Sequence, residues 1–139
     1  GSLAQLAEIL KKEIDAYFLD YNDSDCLLVR RRPQDYILNG WYIVMTKGGF
    51  LEPHNHPSGW LSGVMYLKIP SKNEQDGDIE FGLHGKNLPV LNRKYPREVY
   101  SVAKGELLLF PSSLFHRTLP FISEEERLCI AFDVQPKEQ

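Results

Sequence analysis

Cysteine is nearly absent: only Cys26 and Cys129 occur in 139 residues. They lie far apart and form no pair motif, so no disulfide framework holds this chain. A reducing, cytoplasmic setting is therefore expected. A basic excess is missing as well. Sixteen Lys and Arg face nineteen Asp and Glu, for a formal charge of -3 and a pI near 5.8. That balance argues against an electrostatic nucleic-acid surface. The one basic run, Arg30-Arg31-Arg32, reads as one face of an edge strand. No apolar stretch approaches the ~20 residues a membrane helix needs, and no signal peptide is expected, since the first residues already read as charged and helical. Gly1-Ser2 reads as a cloning remnant, with the natural chain expected to begin earlier.

What remains is ordinary globular composition, 42% hydrophobic and 25% charged, sized for one domain over residues 1–139. Leu3, Leu6, Leu10, Ile14 and Tyr17 recur at 3–4 spacing opposite Lys11, Lys12 and Asp15, which predicts an amphipathic helix over 3–20. Ser2 and Gln5 have the spacing of a capping box at its start. From residue 25 to 134 the texture changes to short β-rich runs: "CLLVRR", "GWYIVMTK", "WLSGVMYLKI", "DIEFGL", "EVYSV", "ELLLF", "LFHRTL" and "RLCIAFDV". Gly, Pro and Asn punctuate them. One helix followed by about eight strands predicts a mainly β domain, a double-stranded β-helix (jelly roll, cupin-like) with one N-terminal helix.

The stretch "FLEPHNHPSGWLSG" carries two of the four histidines. If residues 51–56 are extended, His54 and His56 face one way and Asn55 the other, because side chains alternate along a strand. Pro53 and Pro57 favour that conformation in the residues before them. Two imidazoles on one face make half of a metal site. The missing donor is sought in His116, on the strand after "GELLLFPSS". Eleven residues further on, Arg127, Cys129 and Ala131 share one face of "RLCIAFDV", while Leu128, Ile130 and Phe132 share the other. The apolar face should pack on the helix. The face with a cation and small residues leaves room for an anion.

These residues resemble the 2-oxoglutarate- and Fe(II)-dependent oxygenases, closest to a bacterial and phage group with an H-x-H motif. The likeness runs over residues 40–134, through "WYIVMTKGGFLEPH", "LSGVMYL" and "GELLLFPSSLFHRTLPF...ERLCIAF". It implies an enzyme that hydroxylates a small-molecule or peptide substrate while converting 2-oxoglutarate to succinate and CO2. On the matching positions His54 is the first iron ligand, His116 the distal ligand, and Arg127 the cation that grips the far carboxylate of 2-oxoglutarate. A guanidinium suits that role because it is planar, bidentate and permanently charged. Cys129 stands where relatives carry a Ser or Thr assisting the contact, and Tyr42 is a candidate phenol for the same carboxylate.

His56 stands where the family usually has its carboxylate ligand. Three arrangements are open: His56 ligates as a third imidazole, water completes a two-histidine site, or Glu52 swings in. Two other readings compete with the dioxygenase. One is a cupin-like three-histidine metalloenzyme that does not use 2-oxoglutarate. The other is a non-catalytic jelly roll that binds through Trp60, Tyr66 and the segment 70–98. The alternative role for Arg127 is a surface pair with Glu124, Glu125 or Glu126. His84, in "GLHGKN", has no partner and reads as a surface residue. No nucleic-acid or membrane partner is expected, and a homodimer is compatible with the sequence.

Overall fold

The computed structural model describes residues 1–137. Two helices come first, α1 (Ser2–Asp20) and α2 (Leu27–Arg30). Eight strands follow: β1 (Tyr36–Met45), β2 (Leu51–His54), β3 (Leu61–Lys68), β4 (Ile79–Gly82), β5 (Arg97–Tyr100), β6 (Leu107–Pro111), β7 (Phe115–Thr118) and β8 (Arg127–Pro136). They form two four-stranded antiparallel sheets, ordered β1-β8-β3-β6 and β2-β7-β4-β5. This is the expected jelly roll.

The first sheet is apolar on both faces, which a period-2 reading of its strands explains. Val64 and Tyr66 of β3, Phe110 of β6, and Cys129 and Ala131 of β8 point between the sheets. Leu61, Phe132 and Val134 point the other way, against Leu10, Ile14 and Phe18 of α1. The helix thus packs on the outer face of β8, as the alternation of "RLCIAFDV" predicts. Gly63 makes this packing possible, since a Cβ there would lie 2.2 Å from the Phe132 ring.

Three local expectations fail. "CLLVRR" is not a strand but one helical turn, with the Arg30 and Val29 amides both donating to the Cys26 carbonyl. Its fate is decided by packing: Leu28 and Val29 tuck beneath α1, and the Trp60 indole donates to the Leu28 carbonyl at 2.8 Å. The arginine run consequently closes a helical turn rather than decorating an edge strand; Arg30 pairs with Asp25 and Arg32 lies over the Phe18 ring. At the start of α1, Gly1 is the N-cap and no side chain caps the helix, so Ser2 and Gln5 form no capping box.

Candidate metal centre

β2 and β7 pair with His54 directly opposite His116. In an antiparallel pair, opposed residues share a face, so both imidazoles project between the sheets. His56 lies two residues beyond His54, just past the end of β2, and keeps the same facing. The His54 and His56 rings stack at 5.3 Å, and His116 stands 4.3 Å from one and 5.0 Å from the other. One ligand nitrogen from each lies within 4.8 Å of the other two.

Each ring is aimed by the hydrogen bond its Nδ1 makes. His54 Nδ1–H donates to the Glu52 carbonyl at 2.7 Å, and His116 Nδ1–H to the Leu114 carbonyl at 3.0 Å. Both carbonyls can only accept, which fixes the proton on Nδ1 and leaves Nε2 with a free lone pair. His56 Nδ1 faces the Asp133 carboxylate at 2.7 Å, with the same result. The three Nε2 atoms are therefore the free donors, and imidazole donors suit Zn, Cu, Fe and Ni.

Glu52 is not part of this set. Its carboxylate turns outward to the Lys86 ammonium and is half-exposed, away from the histidine cluster. Although of matching parity in sequence, Glu52 lies beside Pro53, and the β2–β7 register shifts between Leu51 and His54, which breaks strict alternation there.

Burial disfavours a charge on His116 and pushes its pKa down to about 4; the nearby His54 and His56 rings act in the same direction, against the Leu114 hydrogen bond. The unfolded chain takes up that proton near pH 6.5, whereas the fold resists it. This contribution to stability is thus fully present above pH 6.5 and is lost as pH falls toward about 4. At 1.36 kcal/mol per pKa unit it amounts to at most about 3 kcal/mol. Urea denaturation of metal-free protein between pH 7.5 and 4 should show the decline, and His116→Gln should flatten it over that window. An unchanged slope in the variant would assign the decline to other groups.

The histidines line one end of a cavity of about 230 Å³ walled by Trp41, Ile43, Val64, Tyr66, Ile79, Thr118, Arg127, Cys129 and Ala131 among others. Arg127 is 1% exposed. Its Nε donates to the Gly77 carbonyl at 3.1 Å and its Nη1 contacts Cys129 Sγ at 3.6 Å. No described carboxylate pairs with it. Glu124 is held by Lys47, Glu125 by Ser71 and Glu126 by Lys68, so the surface-pair alternative does not apply. The guanidinium carbon sits 5.3 Å from the Tyr66 ring centroid, and the Tyr66 hydroxyl is buried without a partner. Burial raises the Tyr66 pKa, so the phenol keeps its proton and remains a donor. A buried cation without a counter-charge and a buried phenol without an acceptor are each costly alone. Side by side they offer a charge and a hydrogen-bond donor to the same cavity. Burial also raises the Cys129 pKa, which leaves a neutral thiol, a weak donor, beside the guanidinium.

The phenol beside Arg127 in this cavity is that of Tyr66, and Tyr42 does not reach it. Tyr42 is 63% exposed and turns toward the groove under α1 with Leu3, Leu6 and Phe132. Strand parity is the reason: Trp41 and Ile43 of β1 point inward, so Tyr42 between them points out. Trp60 likewise packs with the α1 cluster and does not reach the cavity. Three site residues were missed in the sequence: Asp133, Ser62 and Ser112. Asp133 continues the inward series Arg127, Cys129, Ala131, so the same alternation carried one step further locates it. The segment 70–98 contributes Phe81, Leu83, Pro96 and Arg97 to a separate apolar cavity of about 450 Å³. His84 is half-buried against the Tyr95 ring, 5.6 Å between centroids, and takes no part in the cluster.

Three imidazoles thus converge on the inner face of a jelly roll, with an unneutralised guanidinium in the same cavity. Sequence comparison makes this specific. A family model described as "Putative 2OG-Fe(II) oxygenase" matches residues 39–133, well over half of the chain, and the chain belongs to that family. Among solved structures, HygX from Streptomyces hygroscopicus with nickel and 2-oxoglutarate bound aligns at 20% identity and a TM-score of 0.58, over 98% of this chain and 76% of that one. A prolyl-4-hydroxylase from Pseudomonas putida aligns at 18% identity and a TM-score of 0.57, over 73% of this chain and 52% of that one. A 2OG-Fe(II) oxygenase-family oxidoreductase from Burkholderia pseudomallei gives 17% and 0.55, over 73% and 45%. The chain thus spans about half the length of the latter two, and at these identities the likeness is one of fold. No curated protein sequence matches it.

Proposed function

We propose that this chain is a 2-oxoglutarate-dependent dioxygenase in which His54, His56 and His116 hold Fe(II) and Arg127 with Tyr66 binds the distal carboxylate of 2-oxoglutarate. The single observation that carries the reading is the pairing of an unneutralised buried guanidinium with an unpartnered buried phenol in the cavity lined by the three imidazoles. The imidazoles alone suit Zn, Cu, Fe or Ni, and alone would fit a cupin-type enzyme without 2-oxoglutarate. The anion receptor has no use in that alternative, and membership of the family selects iron.

Iron so held would supply activation of O2 coupled to decarboxylation of 2-oxoglutarate, with hydroxylation of a C–H bond as the outcome. The residues do the rest. Arg127 supplies charge and a planar fork, Tyr66 donates from its hydroxyl, and Cys129 fills the remaining side. Ile43, Val64, Ile79 and Ala131 keep water away. A cavity of about 230 Å³ is below the usual ligand-pocket range of roughly 300–1,000 Å³. It suits a five-carbon diacid, so the body of the substrate lies outside, with Trp41 (38% exposed) at the entrance against His56. A small molecule or a peptide segment fits that arrangement. Among the described residues no helix is long and apolar enough to cross a membrane. The two free cysteines favour a cytoplasmic setting.

The test is succinate release from 2-oxoglutarate by protein reconstituted anaerobically with Fe(II) and then exposed to air, with cell-extract fractions added as substrate source. Release that requires both Fe(II) and O2 supports the reading. Metal uptake with no 2-oxoglutarate binding would defeat it. Tyr66→Phe supplies a finer check. It removes an unsatisfied buried hydroxyl, so metal-free protein should gain about 1 kcal/mol in urea denaturation while 2-oxoglutarate binding weakens roughly tenfold. Equal 2-oxoglutarate affinity in wild type and variant would take Tyr66 out of the site.

A further inference from the structure

The ligand set of this chain lacks a carboxylate, yet one lies directly behind His56. Asp133, 4% exposed in the middle of β8, sits opposite Ser62 of β3. Its Oδ1 accepts from His56 Nδ1 at 2.7 Å and from the Ser62 hydroxyl at 2.6 Å. Ser62 Oγ lies 2.8 Å from Ser112 Oγ, and both serines are fully buried. The Ser112 carbonyl in turn accepts the His56 backbone amide at 2.9 Å, so the histidine is held at both backbone and ring. Gly59 closes the enclosure: a Cβ there would lie 2.4 Å from Ser112 Oγ and 3.3 Å from the Asp133 carboxyl carbon. His54 and His116, by contrast, donate to neutral backbone carbonyls.

We propose that Asp133, braced by Ser62 and Ser112, is a positioning residue that returns to the metal centre, through His56, the negative charge its ligands lack. The inference rests on the proposed metal site and goes beyond it, because it makes the three imidazoles unequal. A carboxylate accepting the Nδ1 proton increases the basicity of Nε2 and fixes the ring plane. His56 is thereby the most strongly donating of the three, although it replaces an acid. The buried carboxylate is tolerable because the two hydrogen bonds to Oδ1 and the chain to Ser112 supply the solvation it loses. Ser62 and Ser112 would otherwise be hydroxyls of no use in the core of a sheet. The Asp133 position in β8 also explains how one strand serves both ends of the site. Its six-residue separation from Arg127 spans about 20 Å of extended chain.

The test is cobalt(II) binding to full-length wild type, Asp133→Asn and Ser62→Ala, followed by titration and by the visible ligand-field spectrum at saturation. Asn keeps the shape and an acceptor for His56 but removes the charge. The expected result is a 10–100-fold loss of affinity in Asp133→Asn, the range found for such outer partners, with shifted ligand-field bands in the fully loaded protein. Ser62→Ala should fall between wild type and Asp133→Asn, since it loosens the carboxylate without removing it. A role confined to folding would lower the melting temperature of the metal-free protein and leave the loaded spectrum unchanged. That result, or equal affinity in wild type and Asp133→Asn, would overturn the inference while leaving the metal site intact. Wild type that failed to bind cobalt at all would overturn both.

Discussion

Arg127→Met should yield a protein about as stable as wild type that still binds metal and no longer responds to 2-oxoglutarate. The expectation follows from what surrounds the guanidinium. It is 1% exposed, with no carboxylate to neutralise it among the described residues. Burying a charge that lacks a counter-ion disfavours the fold, and apolar replacements of buried ionic groups are often neutral or stabilising. Against that gain stands the Gly77 carbonyl, which loses the Arg127 Nε–H at 3.1 Å and should cost about 1–3 kcal/mol as an unsatisfied acceptor. The two nearly cancel, and the net change should stay within about 2 kcal/mol in urea denaturation. Binding behaves differently. A ligand at a hundred times its dissociation constant stabilises the folded state by about 2.7 kcal/mol. That increment, seen for wild type loaded with metal and 2-oxoglutarate, should vanish in the variant, while the increment due to metal alone persists. A variant that unfolds outright would show Arg127 to be a structural anchor. One that keeps the 2-oxoglutarate increment would remove it from the site.

The sequence carries this site unevenly, and the reasons are physical. The facing of His54, His56 and Arg127 was legible because strand alternation needs no knowledge of neighbours, whereas the meeting of His116 with His54 is a matter of register and was expected only from the family resemblance. Given that a run is extended, parity alone places its side chains. The same rule in "RLCIAFDV" reaches Asp133, a charged residue at an inward position of an apolar run, and in "WYIV" it turns Tyr42 outward. What parity cannot supply is register. Tyr66 meets the guanidinium because β3 and β8 align Tyr66 with Cys129, and no local pattern in either strand encodes that offset. The two serines are silent for the same reason, since Ser62 and Ser112 become one network only when β3 and β6 lie side by side. "CLLVRR" shows the opposite limit. Four apolar or β-branched residues in a row are too few for period to separate strand from helix, and the decision passes to packing beneath α1.

The second large effect concerns residue 56, where the resemblance to these oxygenases implies an acid. His56→Asp reinstates the conventional H-x-D ligand pattern, yet in this chain it should abolish metal binding. Residue 56 faces Asp133 at hydrogen-bond distance, 2.7 Å from the present Nδ1, in a place 4% exposed on the Asp133 side. A carboxylate there would meet a carboxylate, and two such groups at about 3 Å in a buried site cannot both ionise. One must hold a proton, and the new ligand loses the charge that gives it value. The fold suffers as well, since a buried pair stripped of its complement typically costs about 3–5 kcal/mol. The double variant His56→Asp/Asp133→Asn removes the conflict, because an amide donates from its NH2 to the new carboxylate. It should recover both stability and cobalt affinity relative to His56→Asp alone, a coupling that a double-mutant cycle measures directly. Additive effects in that cycle would mean that the two positions do not sense one another. In that case the three-histidine set would not owe its existence to the acid behind it. Coupled effects would mean that this fold offers two self-consistent solutions, an acid in contact with the metal or an acid behind an imidazole. Charge repulsion would then be what forbids having both.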